Sequence, residues 1–254
     1  MSARFTDKVV LVTGATSGMG RAAAERIAAE GAKVVLAARG EEAGGGLAAE
    51  LRAGGADAVF VATDVPVEAQ VADLVQHVVD RHGRLDAAFN NVGAATAVGP
   101  VTDIDAKAWD ADLALNLSSV FYSLKYQIPL LQASGGGAIV NNASTLAVTG
   151  GAAMASYSAG KHGVVGLTRS AALDTAAAGI RINALVTGGV DTPLLRGNMG
   201  MPPEEAVRAA GALHPIGRIA QPEEIAAFVA FLLSDEARFI TGAALAIDGG
   251  MTAA

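Results

Sequence analysis

The chain has 254 residues, no cysteine, an apolar fraction of 52% rich in alanine and valine, and a formal net charge of −7. Its basic residues are dispersed, with no Lys/Arg run and no basic stripe interleaved with aromatics, so nucleic acid is not an expected partner. No disulfide is possible, no signal-peptide pattern surrounds acidic Asp7, and no uncharged apolar stretch reaches about 18 residues; the expectation is a cytoplasmic protein without a membrane span.

Short β-branched runs alternate with longer alanine-rich ones. Segments 9–12, 34–37, 58–61, 85–89, 138–141, 180–186 and 244–247 read as strands buried on both faces. Segments 19–30, 42–53, 67–82, 106–132, 155–178 and 222–234 read as helices. Strict alternation predicts one α/β domain over residues 1–254, with a mostly parallel, doubly wound sheet and helices on both faces. Pro129 is expected to kink or end its helix. The segment 188–221 reads as irregular, with Pro193, Pro202, Pro203 and Pro215 and a short helical pattern near 204–212. Its part 188–215 is expected to act as a lid over a ligand.

The first strand runs into Thr13-Gly14-Ala15-Thr16-Ser17-Gly18-Met19-Gly20, and a helix follows. Three glycines allow a tight turn and close approach of the backbone to a pyrophosphate, which the free N–H groups of a helix start would hold. The second strand ends in Ala38-Arg39 without the carboxylate that would bind a ribose 2′-hydroxyl. Arg39 suits a 2′-phosphate instead, which favours NADP over NAD. Asp64-Val65 follows the third strand, where an aspartate serves equally as a helix cap. Asn90-Asn91-Val92-Gly93 follows the fourth. Both lie at carboxyl ends of strands, where open α/β sheets bind ligands.

Tyr157 and Lys161 are four apart on a predicted helix and so share a face, and Ser144 lies just past the fifth strand. Reduction of a ketone needs a proton donor at the carbonyl oxygen. A free phenol, with a pKa of about 10, is a poor base near neutrality; bringing it to about 7 requires about 4 kcal/mol of differential interaction. A neighbouring ammonium acts in that direction, so Lys161 is expected to lower the pKa of Tyr157. Ser144 would hold the substrate oxygen. No His, Asp or Glu cluster has metal-ligand spacing.

Taken in order, Thr13-Gly14-x-x-x-Gly18-x-Gly20, Asp64, Asn90-Asn91-x-Gly93, Asn116, Ser144, Tyr157-x-x-x-Lys161 and Asp248-Gly249-Gly250 resemble the short-chain dehydrogenase/reductase family along the whole chain. The resemblance implies a Rossmann-type seven-stranded sheet and hydride transfer between NAD(P) and an alcohol or ketone. It implies Tyr157 as acid/base, Ser144 on the substrate oxygen, Lys161 on Tyr157 and the nicotinamide ribose, and Asn116 supporting a water relay to Lys161. The expected cofactor contacts are Gly14, Thr16, Ser17, Gly18, Met19, Gly20, Arg39, Asp64, Val65, Asn90, Val92, Gly93, Tyr157, Lys161, Val190 and Thr192. Asp64 would bind adenine and Asn90 the adenosine ribose region. Thr145, Leu146, Met154, Leu194, Leu195 and Met199 are expected around the substrate, an apolar wall that suits a ketone, hydroxysteroid or 3-oxoacyl thioester, or a sugar such as glucose. Homotetramers are common in the family. Two positions depart from its pattern: Val92 stands where alanine is usual, and Thr187 where proline is usual. A non-catalytic dinucleotide-binding sensor or scaffold is the alternative, but it would not need Asn116, Ser144, Tyr157 and Lys161 together.

Overall fold

The residues Val-Val-Leu-Val-Thr form strand β1 (Val9–Thr13), and all five are buried. Successive side chains of a strand point to opposite faces. Val10 and Val12 accordingly join one apolar cluster, with Ala23, Ile27, Leu47 and Val229, while Val9 and Leu11 join another, with Leu74, Val78, Leu124 and Val164. Burial on both faces is why the strand reads as an unbroken apolar run.

The computed structural model describes residues 3–198 and 200–253. The further strands are β2 (Lys33–Ala38), β3 (Ala58–Ala62), β4 (Ala87–Asn90), β5 (Gly137–Asn142), β6 (Ile180–Thr187) and β7 (Ala244–Ile247). The sheet order is β3-β2-β1-β4-β5-β6-β7, with every pair parallel. The chain winds outward first from β1 and then, in the other direction, from β4. That reversal opens a crevice beyond the carboxyl ends of β1 and β4.

Helices α1 (Gly18–Ala29), α2 (Glu41–Ala53) and α9 (Pro222–Leu233) supply the first cluster; α3 (Glu68–His82), α5 (Ser119–Ala133) and α6 (Ala155–Thr175) supply the second. Truncating a buried anchor such as Ile27 or Leu74 to alanine would cost about 2–5 kcal/mol. Among the described residues no helix is long and apolar enough to cross a membrane.

Three local expectations are corrected. The segment 106–132 is not one regular helix: α4 (Ala106–Leu113) passes through a π-helical turn, Ala114–Ser118, into α5. Pro129 does not end α5, which runs on to Ala133. Pro129 and Lys125 are exposed, so the carbonyl that Pro129 leaves without a donor lies on the wet face of the helix. The segment 188–221 contains, besides the expected short helix, here α8 (Pro203–Gly211), a second one, α7 (Pro193–Asn198).

Candidate active site

The turn after β1 is a cradle that only glycine fits. Gly14 and Gly18 have φ of 63° and 50°. A Cβ on Gly20 would lie 2.1 Å from the Gly14 carbonyl oxygen and 2.7 Å from Asn91 Nδ2. Ser17 makes no side-chain capping bond at the start of α1, and the first turn carries no acid, so its amides remain available to an anion. Thr16, Ser17 and Met19 all retain exposed surface around this turn. Arg39, just past β2, is exposed and has no ion-pair partner among the described residues. These features fit a phosphorylated dinucleotide.

The other expected cofactor contacts sort into two groups. Val65, Asn90 and Val92 line one recess with Thr13 and Ser119. Val92 packs towards Gly14, whose missing side chain leaves it room. Asp64 lies before Val67, the N-cap of α3, so it does not cap that helix. Its amide is held instead by Gln70 Oε1 at 2.7 Å. The Asn90 side chain, by contrast, points inward: its amide donates to Gln127 Oε1 and Asn141 Oδ1, and its oxygen accepts from Gln127. Val190 is 5% exposed and its side chain belongs to the core. At these two positions the main chain is what the structure leaves to meet a ligand.

Ser144 follows β5, in extended backbone, and its hydroxyl accepts from the Leu146 amide at 3.2 Å. Tyr157 sits in the first turn of α6 and Lys161 one turn on. Lys161 is 1% exposed. Its ammonium stands over the Tyr157 ring, 5.7 Å from the centroid, and donates to the Asn142 carbonyl at 2.8 Å. Burial lowers the Lys161 pKa to about 8. Burial also pushes the Tyr157 phenol up; a hydrogen bond with Ser144 acts downward and the charge of Asp112 upward. Burial is the largest influence on the phenol in the protein alone, and the Lys161 ammonium is turned to the Asn142 carbonyl.

Asn116 lies in the π-helical turn. Its side-chain amide donates to the carbonyls of Ala94 and Asp112, and its oxygen accepts from the Ala94 amide. A Cβ on Gly93 would fall 2.7 Å from Lys161 Nζ and 2.9 Å from Asn116 Oδ1, so both groups border one point. Gly160 and Gly163 of α6 let the π-helical turn approach closely; a Cβ at either would crowd Asn116 or Leu117.

Leu146 and Met154 come together around Gly151, with buried Thr145 beside them on the same turn. Leu194 and Leu195 lie on α7. Met199 is outside the described residues. The segment 188–215 is tied to β6 at its base. Buried His214 accepts the Gly189 amide at Nε2, 2.8 Å, and contacts the Ala210 carbonyl through Nδ1, also 2.8 Å. Thr192 packs on the cradle, its Cγ2 2.8 Å from where a Gly18 Cβ would stand. Thr187, in the place of a proline, keeps β6 paired to β7 as far as Ile247.

Sequence reasoning missed Asp112, which is fully buried beside this site; the available signal is an acid one helical turn before Asn116. A cavity of about 410 Å³ lies at the opposite, amino-terminal edge of the sheet, lined by Arg4, Lys8, Arg84, Asp86 and Arg181 among others. Its cations are already engaged: Arg4 with Glu30, Lys8 and Arg84 with Asp86, and Arg181 with main-chain carbonyls. Among the described residues no group of three His, Cys, Asp or Glu could hold a metal ion.

The profile of a family described as enoyl-(acyl carrier protein) reductase matches residues 14–252. The chain is 43% identical to cis-4-hydroxycyclohexanecarboxylate dehydrogenase of Sinomonas cyclohexanicum over 100% of both chains. It is 41% identical to cyclohexanol dehydrogenase of Acinetobacter sp. (strain SE19), over 99% of this chain and 98% of the relative. The crystal structure of levodione reductase matches with a TM-score of 0.95 at 39% identity, covering 99% of this chain and 100% of that one.

Proposed function

We propose a secondary alcohol on a six-membered ring and the corresponding ketone as the substrate pair, proceeding from the fact that the chain belongs to the short-chain dehydrogenase/reductase family. It is an oxidoreductase that transfers hydride between NAD(P) and an alcohol or ketone. The observation that carries the reading is the convergence of Ser144, Tyr157 and Lys161 beside the glycine cradle at the carboxyl edge of the sheet. The ring preference draws on the two relatives named for cyclohexane alcohols and on the apolar pair Leu146 and Met154 around Gly151.

A dinucleotide held by the cradle would supply or accept the hydride. Tyr157 gives its phenolic proton to the ketone oxygen in reduction and takes the alcohol proton in oxidation. Ser144 holds that oxygen in line with the phenol. Lys161 keeps a positive charge near the phenolate that reduction leaves and that takes up the alcohol proton in oxidation, and Asn116 offers the remaining lone pair of its oxygen to a water that would pass the proton on. Exposed Arg39, with no ion-pair partner among the described residues, supports NADP(H) over NAD(H). Exposed Phe121 and Leu173, on α5 and α6, support a homotetramer, and the absence of cysteine fits the cytoplasm.

The test is nicotinamide absorbance with cyclohexanol, cis-4-hydroxycyclohexanecarboxylate, a 3-oxoacyl thioester, glucose and a hydroxysteroid, for the parent and Tyr157→Phe. Ring alcohols should turn over fastest, and the variant should lose about 10²–10⁴-fold in rate. Equal rates would overturn the role of Tyr157, and preference for the thioester or glucose would overturn the substrate class.

A further inference from the structure

Asp112 is a carboxylate in the interior, 0% exposed on α4. Its Oδ1 accepts the Thr96 amide at 3.1 Å and also the Thr96 hydroxyl. Its Oδ2 accepts the Ala97 amide at 3.3 Å and the Ser156 hydroxyl at 2.6 Å. All four donors are neutral. A buried charge without a cation is costly, and an apolar residue would serve better if helix packing were the only requirement. The elements joined here are those that carry the chemistry. Thr96 and Ala97 follow Gly93, which borders Lys161 and Asn116. Ser156 immediately precedes Tyr157. The main-chain carbonyl of Asp112 accepts from Asn116 Nδ2 at 3.0 Å. A second stitch, from the Gly99 amide to the Ala153 carbonyl at 2.9 Å, runs between the same two segments.

We propose that Asp112 is a positioning residue for the reaction described above: with Thr96 and Ser156 it locks the segment after β4 to the first turn of α6, fixing the Tyr157 hydroxyl against Lys161 and Asn116. This rests on Tyr157 as the acid/base. The lock also sets the charge around the phenol. The ionisable groups bearing on Tyr157 are Asp112 from α4 and Lys161 from α6. Burial pushes the Asp112 carboxyl up, but the hydroxyls of Ser156 and Thr96 and the amides of Ala97 and Thr96 bring it below the ordinary range, so it is charged at neutral pH. That charge opposes ionisation of the phenol.

The test compares the parent, Asp112→Asn, Ser156→Ala and Tyr157→Phe. The chain has three tyrosines, so the tyrosinate absorbance of each protein without cofactor, less that of its Tyr157→Phe counterpart, isolates the ionisation of Tyr157. In Asp112→Asn its midpoint should fall by on the order of one pH unit. The acid limb of kcat for cyclohexanol oxidation should fall with it, and kcat should drop tenfold or more while the Kd for NADPH changes less than twofold. Ser156→Ala keeps the charge and loses the lock, so kcat should drop with the Tyr157 midpoint in place. The proposal is overturned if Asp112→Asn superimposes on the parent in titration and pH profile and changes only its melting temperature. If Asp112→Asn does not fold, an unchanged kcat in Ser156→Ala overturns it. Full activity in Tyr157→Phe would instead sink the acid/base reading, and the titration would still report whether Asp112 acts on the phenol.

Discussion

The Lys161 ammonium and the main-chain carbonyl of Asn142 stand 2.8 Å apart, and this bond is the hydrogen bond that holds a buried cation beside Tyr157. Burial brings the lysine to about 8 in the folded chain. In the unfolded chain it titrates at about 10.4, so between those values the unfolded state binds more protons and stability rises with pH. At pH 7 the buried charge costs about 3 kcal/mol. Lys161→Met removes that cost but leaves the Asn142 carbonyl unpaired, a penalty of about 1–3 kcal/mol. The variant should therefore lose hydride transfer by a hundredfold or more and yet melt no lower than the parent at pH 7. Melts repeated at pH 9.5 should show the parent gaining on the variant. A variant that melts well below the parent at pH 7 would mean that Lys161 is a structural support.

The proposed preference for NADP(H) rests on Arg39. It is exposed and leads into Gly40, the N-cap of α2, where a ribose phosphate would meet it. Arg39→Asp replaces an attraction for a 2′-phosphate with a repulsion and supplies an acceptor for a ribose hydroxyl. The ratio of kcat/KM for NADP to that for NAD should fall at least tenfold. Steady-state rates with both dinucleotides measure it, and an unchanged ratio assigns the preference elsewhere.

The strands, the glycine cradle and the Ser144–Tyr157–Lys161 set are legible in the sequence because each depends on short-range spacing: a buried run, a turn, one face of a helix. What is not legible depends on partners far along the chain. The Asn90 side chain turns inward to reach Gln127 and Asn141, 37 and 51 positions away. Asp112 finds its donors 16 and 44 positions away. The π-helical turn at Ala114–Ser118 inserts itself without breaking the apolar pattern, so 106–132 reads as one helix. Pro129 misleads because its cost depends on whether the freed carbonyl meets water, which only tertiary structure decides.

Two glycines separate close approach from mere flexibility. A Cβ on Gly20 would lie 2.1 Å from the Gly14 carbonyl oxygen, whereas one on Gly45, in α2, meets nothing within 4 Å. Gly20→Ala should force the cradle apart and abolish dinucleotide binding. Gly45→Ala should leave binding intact and stabilise α2 by up to about 1 kcal/mol, the difference in helix propensity. NADPH fluorescence titration and thermal melts on both variants read the contrast. Normal affinity in Gly20→Ala would show that the close approach of α1 to Gly14 is dispensable.

His214 ties α8 to the segment after β6, the base of the proposed lid. It is 5% exposed and bridges the Gly189 amide and the Ala210 carbonyl, at 2.8 Å each. The pairing fixes the tautomer: Nδ1 donates to the carbonyl and Nε2 accepts the amide. The space is tight, since a Cβ on Gly188 would stand 2.5 Å from Nε2. His214→Ala leaves both main-chain groups without their partner and opens a void between α8 and the segment that leads to Val190 and Thr192. Each unpaired buried group costs about 1–3 kcal/mol, so the melting temperature should fall by several degrees. If the lid also positions the nicotinamide end of the cofactor, KM for the dinucleotide should rise at least fivefold, with the larger effect on the exchange of amides 189–196 in hydrogen–deuterium measurements. Loss of stability with KM and exchange in that segment unchanged would confine His214 to packing.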